Sequence, residues 1–137
     1  MVYDAGIDID MVAGQNIKRI LLVEDSLAEA ALLKKYLHKK SREAKVLHVG
    51  SISQAYKSCK MLEYDLIILD LNLPDSVGPN SVTEFKKFNK DTPIIVATGF
   101  LPDITFLASM KRGADHIYSK EQIFRGEADR TISEYIH

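Results

Sequence analysis

One cysteine, Cys59, stands among 137 residues. No internal disulfide can therefore hold the chain together, and the place of Cys59 in a helical pattern reads as a small packing residue in a reducing compartment. No apolar stretch approaches the roughly 20 residues that cross a bilayer. The first residues also lack the basic-then-apolar order of a secretory leader. These absences together predict a cytoplasmic location. Charge of one sign is not in excess either, because 18 Lys and Arg against 19 Asp and Glu leave a formal net charge of -1. That balance gives no electrostatic footprint for nucleic acid or for an anionic membrane surface, so a protein partner is expected. Internal repeats and low-complexity linkers are missing as well. What is present is 46% hydrophobic residues, enough at this length for one domain with a real core.

The hydrophobic residues come in short runs alternating with amphipathic segments. Residues 20–23, 46–49, 66–69, 94–97 and 116–119 are short, largely β-branched or aliphatic, and bounded by polar or turn residues, which predicts five strands. Their near-continuous apolarity predicts a parallel sheet buried on both faces. Between them, five helical faces recur: Ala30, Leu33 and Leu37; Ala55, Cys59 and Leu62; Val82, Phe85 and Phe88; Ile104, Leu107 and Ala108; and Phe124, Ala128, Ile132 and Tyr135. Capping boxes are expected at Ser26 with Glu29, Ser51 with Gln54, and Ser81 with Glu84. This alternation predicts a single α/β domain over residues 17–137, doubly wound, with five parallel strands in the order 2-1-3-4-5. Residues 1–16 sustain no period and are expected to form a flexible arm.

In such a sheet, ligands bind beyond the carboxyl ends of the strands. Glu24 and Asp25 follow the first run, Asp70 follows the third, Thr98 follows the fourth and Lys120 the fifth. The second ends in Gly50 and brings no chemistry. Three converging carboxylates repel one another, each close pair by several kcal/mol at an effective dielectric of about 20. A divalent cation relieves that repulsion, and Mg²⁺ suits an all-oxygen site.

Four segments carry a resemblance to a known family. Leu22-Val23-Glu24-Asp25-Ser26, Leu69-Asp70-Leu71-Asn72-Leu73-Pro74, Ala97-Thr98-Gly99 and Ser119-Lys120 stand in order and at family-like spacing. The chain from about Lys18 to His137 resembles the receiver domain of two-component response regulators, and the resemblance implies a flavodoxin-like fold. It further implies that Asp70 accepts a phosphoryl group from a histidine kinase or phosphotransfer protein, in a signalling domain that is not an enzyme but supports its own phosphorylation and dephosphorylation. Asp25, Asp70 and the Asn72 backbone carbonyl would hold Mg²⁺, with Glu24 acting through a water, while Thr98 and Lys120 would bind phosphoryl oxygens.

The chain departs from the family pattern in two places. The aromatic switch position, three residues before Lys120, is Ile117. The nearest aromatic, Tyr118, should face the other side of the strand. Where the family usually has proline after the lysine, this chain has Glu121. Because the sequence stops after the last helix, a stand-alone receiver is expected, docking on an unknown downstream protein through a surface including Lys111, Arg112, His116, Gln122 and Arg125. A degenerate receiver acting as an interaction module, and a receiver cut from a longer regulator, stay open. A dehalogenase-type phosphatase would need an acid where Asn72 stands, and a flavin carrier would not place two acids after its first strand.

Overall fold

The structure is a computed structural model and describes residues 17–137; the expected arm lies outside the described residues. Five parallel strands form the main sheet: β1 (Arg19–Val23), β2 (Lys45–Val49), β3 (Leu66–Leu69), β4 (Ile94–Thr98) and β5 (His116–Ser119). Their order is β2-β1-β3-β4-β5, as the alternation of runs predicts. Registers such as Val23 with Leu69, and Thr98 with Ser119, bring the carboxyl ends of the strands to one rim.

Residues on β1 alternate between two cores. Ile20 and Leu22 pack with Ala30, Leu33 and Leu37 of α1 (Leu27–Lys40), Ile123 of α5 (Lys120–Phe124), and Ala128 and Ile132 beside and within α6 (Asp129–Ile136). Leu21 and Val23 pack on the opposite face with Ala55 of α2 (Ile52–Met61) and Val82 and Phe85 of α3 (Asn80–Lys86). Both faces of the sheet are thus covered, and that is why the three central strands, β1, β3 and β4, read as near-continuous apolar runs, while the edge strands β2 and β5 carry the half-buried His48 and His116. Cys59 is half-buried beside Asn89, and burial raises its thiol pKa, an effect the Asn89 hydrogen bond partly opposes.

Four local expectations are corrected. Ser81 does not start a helix: α3 begins after Pro79, whose fixed φ suits a first turn, and the buried Ser81 hydroxyl instead meets that of Ser76 at 2.9 Å. The boxes at Ser26 and Ser51 are half-formed. Each serine accepts from the backbone N–H three residues on, but Gln54 turns to the Gly50 amide and Glu29 turns to Lys120. A complete box lies instead at Ser119, which accepts from the Gln122 amide at 3.1 Å while the Gln122 side chain accepts from the Ser119 amide at 2.8 Å. The single helical face from Phe124 to Tyr135 is divided, because Gly126, at φ 88, ends α5. Ala128 and Ile132 are buried beyond it, while Phe124 is exposed.

The fourth correction concerns α4 (Asp103–Lys111). Its expected inward face is turned outward, with Ile104 77% and Leu107 59% exposed, and Ser109 is its fully buried residue. The Ser109 hydroxyl donates to the Thr105 carbonyl at 2.8 Å. The small Ser109 is thus the side chain this helix buries, whereas its large apolar residues, Phe106 and Met110 among them, are left at the surface. A further element, absent from the expectations, is the two-residue antiparallel hairpin of Asn72–Leu73 with Ser76–Val77 that follows Asp70.

Candidate functional site

The rim is built by extending the parallel ladder one residue past each strand. The Glu24 amide donates to the Val49 carbonyl at 2.9 Å, and the Asp70 amide donates to that of Val23 at 3.0 Å. The backbone of both acids is therefore held by strand pairing, independently of their side-chain contacts. Oxygens of Glu24, Asp25 and Asp70 lie within 4.8 Å of one another. Glu24 and Asp70 are 1% and 4% exposed, while Asp25 is open to solvent.

Lys120 closes the site from β5. Its ammonium forms an ion pair with Glu24, donates to Glu29 Oε2 at 2.7 Å, and lies 3.6 Å from Asp70 Oδ2, beyond hydrogen-bond reach. Burial alone would lower the lysine's pKa, but the hydrogen bonds to Glu24 and Glu29 and the charge of Asp70 outweigh it and raise it. Asp70 moves furthest. Burial first, then the negative charge of Glu24, push its carboxyl up to about 7, against the pull of Lys120 and of a hydrogen bond from the Asn72 backbone.

The buried Asp70 Oδ1 has no hydrogen-bond partner. An unpaired carboxylate oxygen of this kind is costly in a protein interior. Set between two other carboxylates, it suits a hard divalent cation, which prefers oxygen ligands and offsets their mutual repulsion. The residues present therefore fit Mg²⁺.

Thr98, at the end of β4, is 6% exposed and pairs in register with Ser119, one residue before Lys120. Gly99 is open, with no atom within 4 Å of where a Cβ would stand. Asn72 is exposed at the start of the hairpin. Ile117 is 6% exposed and packs in the core shared with α2 and α3. Tyr118 packs on the other core, its hydroxyl 2.8 Å from Thr131 Oγ1. The bond between Lys120 and Glu121 is trans.

The expected contact surface is divided. Lys111 is exposed, and Arg125 pairs with Glu127 at 2.9 Å and Glu121 at 3.4 Å. His116 meets the Tyr135 hydroxyl at 2.9 Å. Two of the residues are otherwise engaged: Arg112 reaches back to Asn80 and Thr83 on α3, and the Gln122 side chain is held in the Ser119 box. A groove of about 430 Å³ between α4 and β5 is lined by Phe100, Leu101, Phe106 and Ile117, among others.

Two supporting residues were not foreseen. Asp75 accepts from the Ile52 and Ser53 amides at 3.0 and 2.9 Å, so the hairpin after Asp70 is tied to the start of α2. His48, on the strand expected to carry no chemistry, donates through Nε2 to the Glu24 carbonyl at 2.6 Å. The sequence signal for Asp75 was its place after Pro74 in a turn. For His48 there was none, since the contact depends on strand pairing.

Comparisons with known proteins agree with this fold. The chain is 34% identical over 109 residues to the regulatory protein LuxO of Vibrio cholerae, an alignment covering 80% of the chain and 23% of LuxO. It is 30% identical over 102 residues to the cell cycle transcriptional regulator CtrA of Caulobacter vibrioides, covering 74% of the chain and 43% of CtrA. The chain thus spans less than half the length of these relatives. Among solved structures, the receiver domain of the sensor histidine kinase PA1611 from Pseudomonas aeruginosa, described with magnesium coordinated in its active site cleft, superposes with a TM-score of 0.73 at 24% identity, covering 88% of this chain and 98% of that one. The family model of the response regulator receiver domain matches residues 20–125. With the sheet order, the acid-lined rim and this match in hand, the chain belongs to the response regulator receiver domain family of two-component signalling.

Proposed function

We propose that this chain is a phosphorylation-driven switch in which Asp70 is the phosphoacceptor. The observation that carries the reading is Asp70 itself, a buried carboxylate with one unpaired oxygen, set among Glu24 and Asp25 and facing the Lys120 ammonium. The donor would be a phosphohistidine of a histidine kinase or phosphotransfer protein, or a small acyl phosphate. An Asp70 oxygen attacks phosphorus, the bond to the donor's nitrogen or oxygen breaks, and the electron pair leaves with the donor. Asp25, Asp70 and the Asn72 backbone carbonyl would hold Mg²⁺, with Glu24 in outer support. The ion, when bound, supplies positive charge against the phosphoryl oxygens.

The remaining work falls to the chain's own groups, because phosphoryl transfer is catalysed mainly by positioning and charge stabilisation. Lys120 places an ammonium beside Asp70 and would neutralise one phosphoryl oxygen. The Thr98 hydroxyl would donate to another. Retention of both, buried at the rim, supports a competent acceptor over an inert interaction module. The output would be read by a downstream protein at the face formed by α4 and β5, where Lys111, His116 and Arg125 border exposed apolar residues. Ile117 and Tyr118 on β5 would transmit the change. The Tyr118 hydroxyl is held by Thr131, which favours repacking of Ile117 over rotation of the aromatic ring.

Intact mass after incubation with acetyl phosphate and Mg²⁺ tests the reading. We expect gain of one phosphoryl group, lost under alkaline hydroxylamine and absent in Asp70→Asn. A wild-type chain that stays unmodified while binding Mg²⁺ would refute the acceptor role.

A further inference from the structure

We propose that Glu29 is a positioning residue that holds Lys120 back from the phosphoryl site and so acts as a brake on phosphoryl binding. The inference rests on the reading of Asp70 as the acceptor and concerns a residue outside the expected site. It begins with a contact that does not form. In a capping box, the third residue of a helix returns its side chain to the backbone N–H of the capping serine. Here Glu24 takes that place: its Oε2 accepts from the Ser26 amide at 3.1 Å. The Glu29 backbone is still anchored by Ser26 Oγ at 3.3 Å, but its carboxylate is free to swing across the rim and meets Lys120 Nζ at 2.7 Å.

An ammonium has three hydrogens to share. Glu24 and Glu29 take two, and Asp70 Oδ2, at 3.6 Å, is too far to take the third well. The two partners differ in how readily they yield. The Glu24 side chain is 1% exposed and anchored through Oε2 by the Ser26 amide, so that its Oε1 has no water to turn to, whereas that of Glu29 is 45% exposed and can regain water when it lets go. Glu29 is therefore the partner a phosphoryl oxygen must displace. Competition between two anions for one cation lowers the apparent affinity for the incoming one, by the cost of breaking a partly exposed charged hydrogen bond.

Beryllofluoride with Mg²⁺, titrated calorimetrically into the full chain, probes the phosphoryl position without turnover. Glu29→Gln is expected to tighten beryllofluoride binding by up to about fivefold, the upper end for one partly exposed ion pair, and Glu29→Ala to act in the same direction. Affinity for Mg²⁺ alone should change by less than about twofold, since Glu29 is outside the acid cluster. In a Lys120→Ala background, where no ammonium is left to hold, the same substitution should be silent. If the wild-type chain binds Mg²⁺ but no beryllofluoride, the acceptor reading fails and takes this proposal with it. If the wild-type chain binds beryllofluoride and Glu29→Gln is unchanged or weaker, or if the Gln effect survives in Lys120→Ala, the brake is refuted while the acceptor reading stands.

Discussion

At the scale of single residues, the site is a stability cost accepted for chemistry. Burial, and then the charge of Glu24, push the Asp70 carboxyl up to about 7 in the folded chain, against about 3.9 for a solvated aspartate. The folded state therefore binds a proton that the unfolded state has released. Stability from this group is fully present below about pH 4 and is lost as pH rises to about 7. Thermal unfolding without metal should show that loss. Asp70→Asn should abolish most of it, raising Tm by several degrees at pH 8 and changing it little at pH 4. Adding Mg²⁺ at pH 8 should stabilise the wild-type chain and leave Asp70→Asn nearly unaffected, because a ligand stabilises only the state that binds it. The acids themselves were legible in the sequence, since each follows an apolar run and strand ends are readable. Their partners were less so: the capping pattern at Ser26 points Glu29 to the Ser26 amide, but Glu24 takes that amide in the fold and leaves Glu29 to reach Lys120.

At the scale of elements, the supports of the site are local and separable. The Ser119 box fixes the backbone next to Lys120, and removal of an N-cap hydroxyl costs about 1 kcal/mol. Ser119→Ala should lower stability by about that much, read by urea unfolding, and should weaken beryllofluoride binding by loosening the lysine. Asp75 acts on the other side of the rim. Asp75→Ala leaves the Ile52 and Ser53 amides without their acceptor and frees the hairpin bearing Asn72. We expect Mg²⁺ affinity to fall by about threefold to tenfold, the scale of a lost charged hydrogen bond, while Asp75→Asn retains part of it. Elements whose period ran undisturbed, such as α1 with Ala30, Leu33 and Leu37 all buried, could be read directly. The last helix could not, because the apolar period from Phe124 to Tyr135 continues through Gly126 although the backbone turns there to a positive φ. Ser81 misled for a different reason: a serine three residues before an acid has the same spelling inside a helix as at its start.

At the scale of the whole molecule, the two cores on either side of the sheet support the rim and leave one helix under-buried. Ile104, Leu107, Phe106 and Met110 of α4 are all at least 40% exposed, so apolar surface is concentrated on one side of the site. Periodicity could not reveal this, since α4 has apolar residues around most of its circumference and only tertiary packing selects Ser109 as the buried position. A direct measurement separates the two orientations. If Leu107 faced the core, Leu107→Ala would cost about 2–5 kcal/mol. From its exposed position the cost should stay within about 0.5 kcal/mol, whereas Phe85→Ala, fully buried under the sheet, should cost about 3–5 kcal/mol. The exposed face is then free to serve recognition, because residues that contribute little to folding can be chosen for a partner's surface. Leu107→Ser should accordingly leave Tm and beryllofluoride affinity unchanged yet reduce capture of a downstream protein by the beryllofluoride-loaded chain. Capture undiminished by that substitution would place the output surface elsewhere on the molecule.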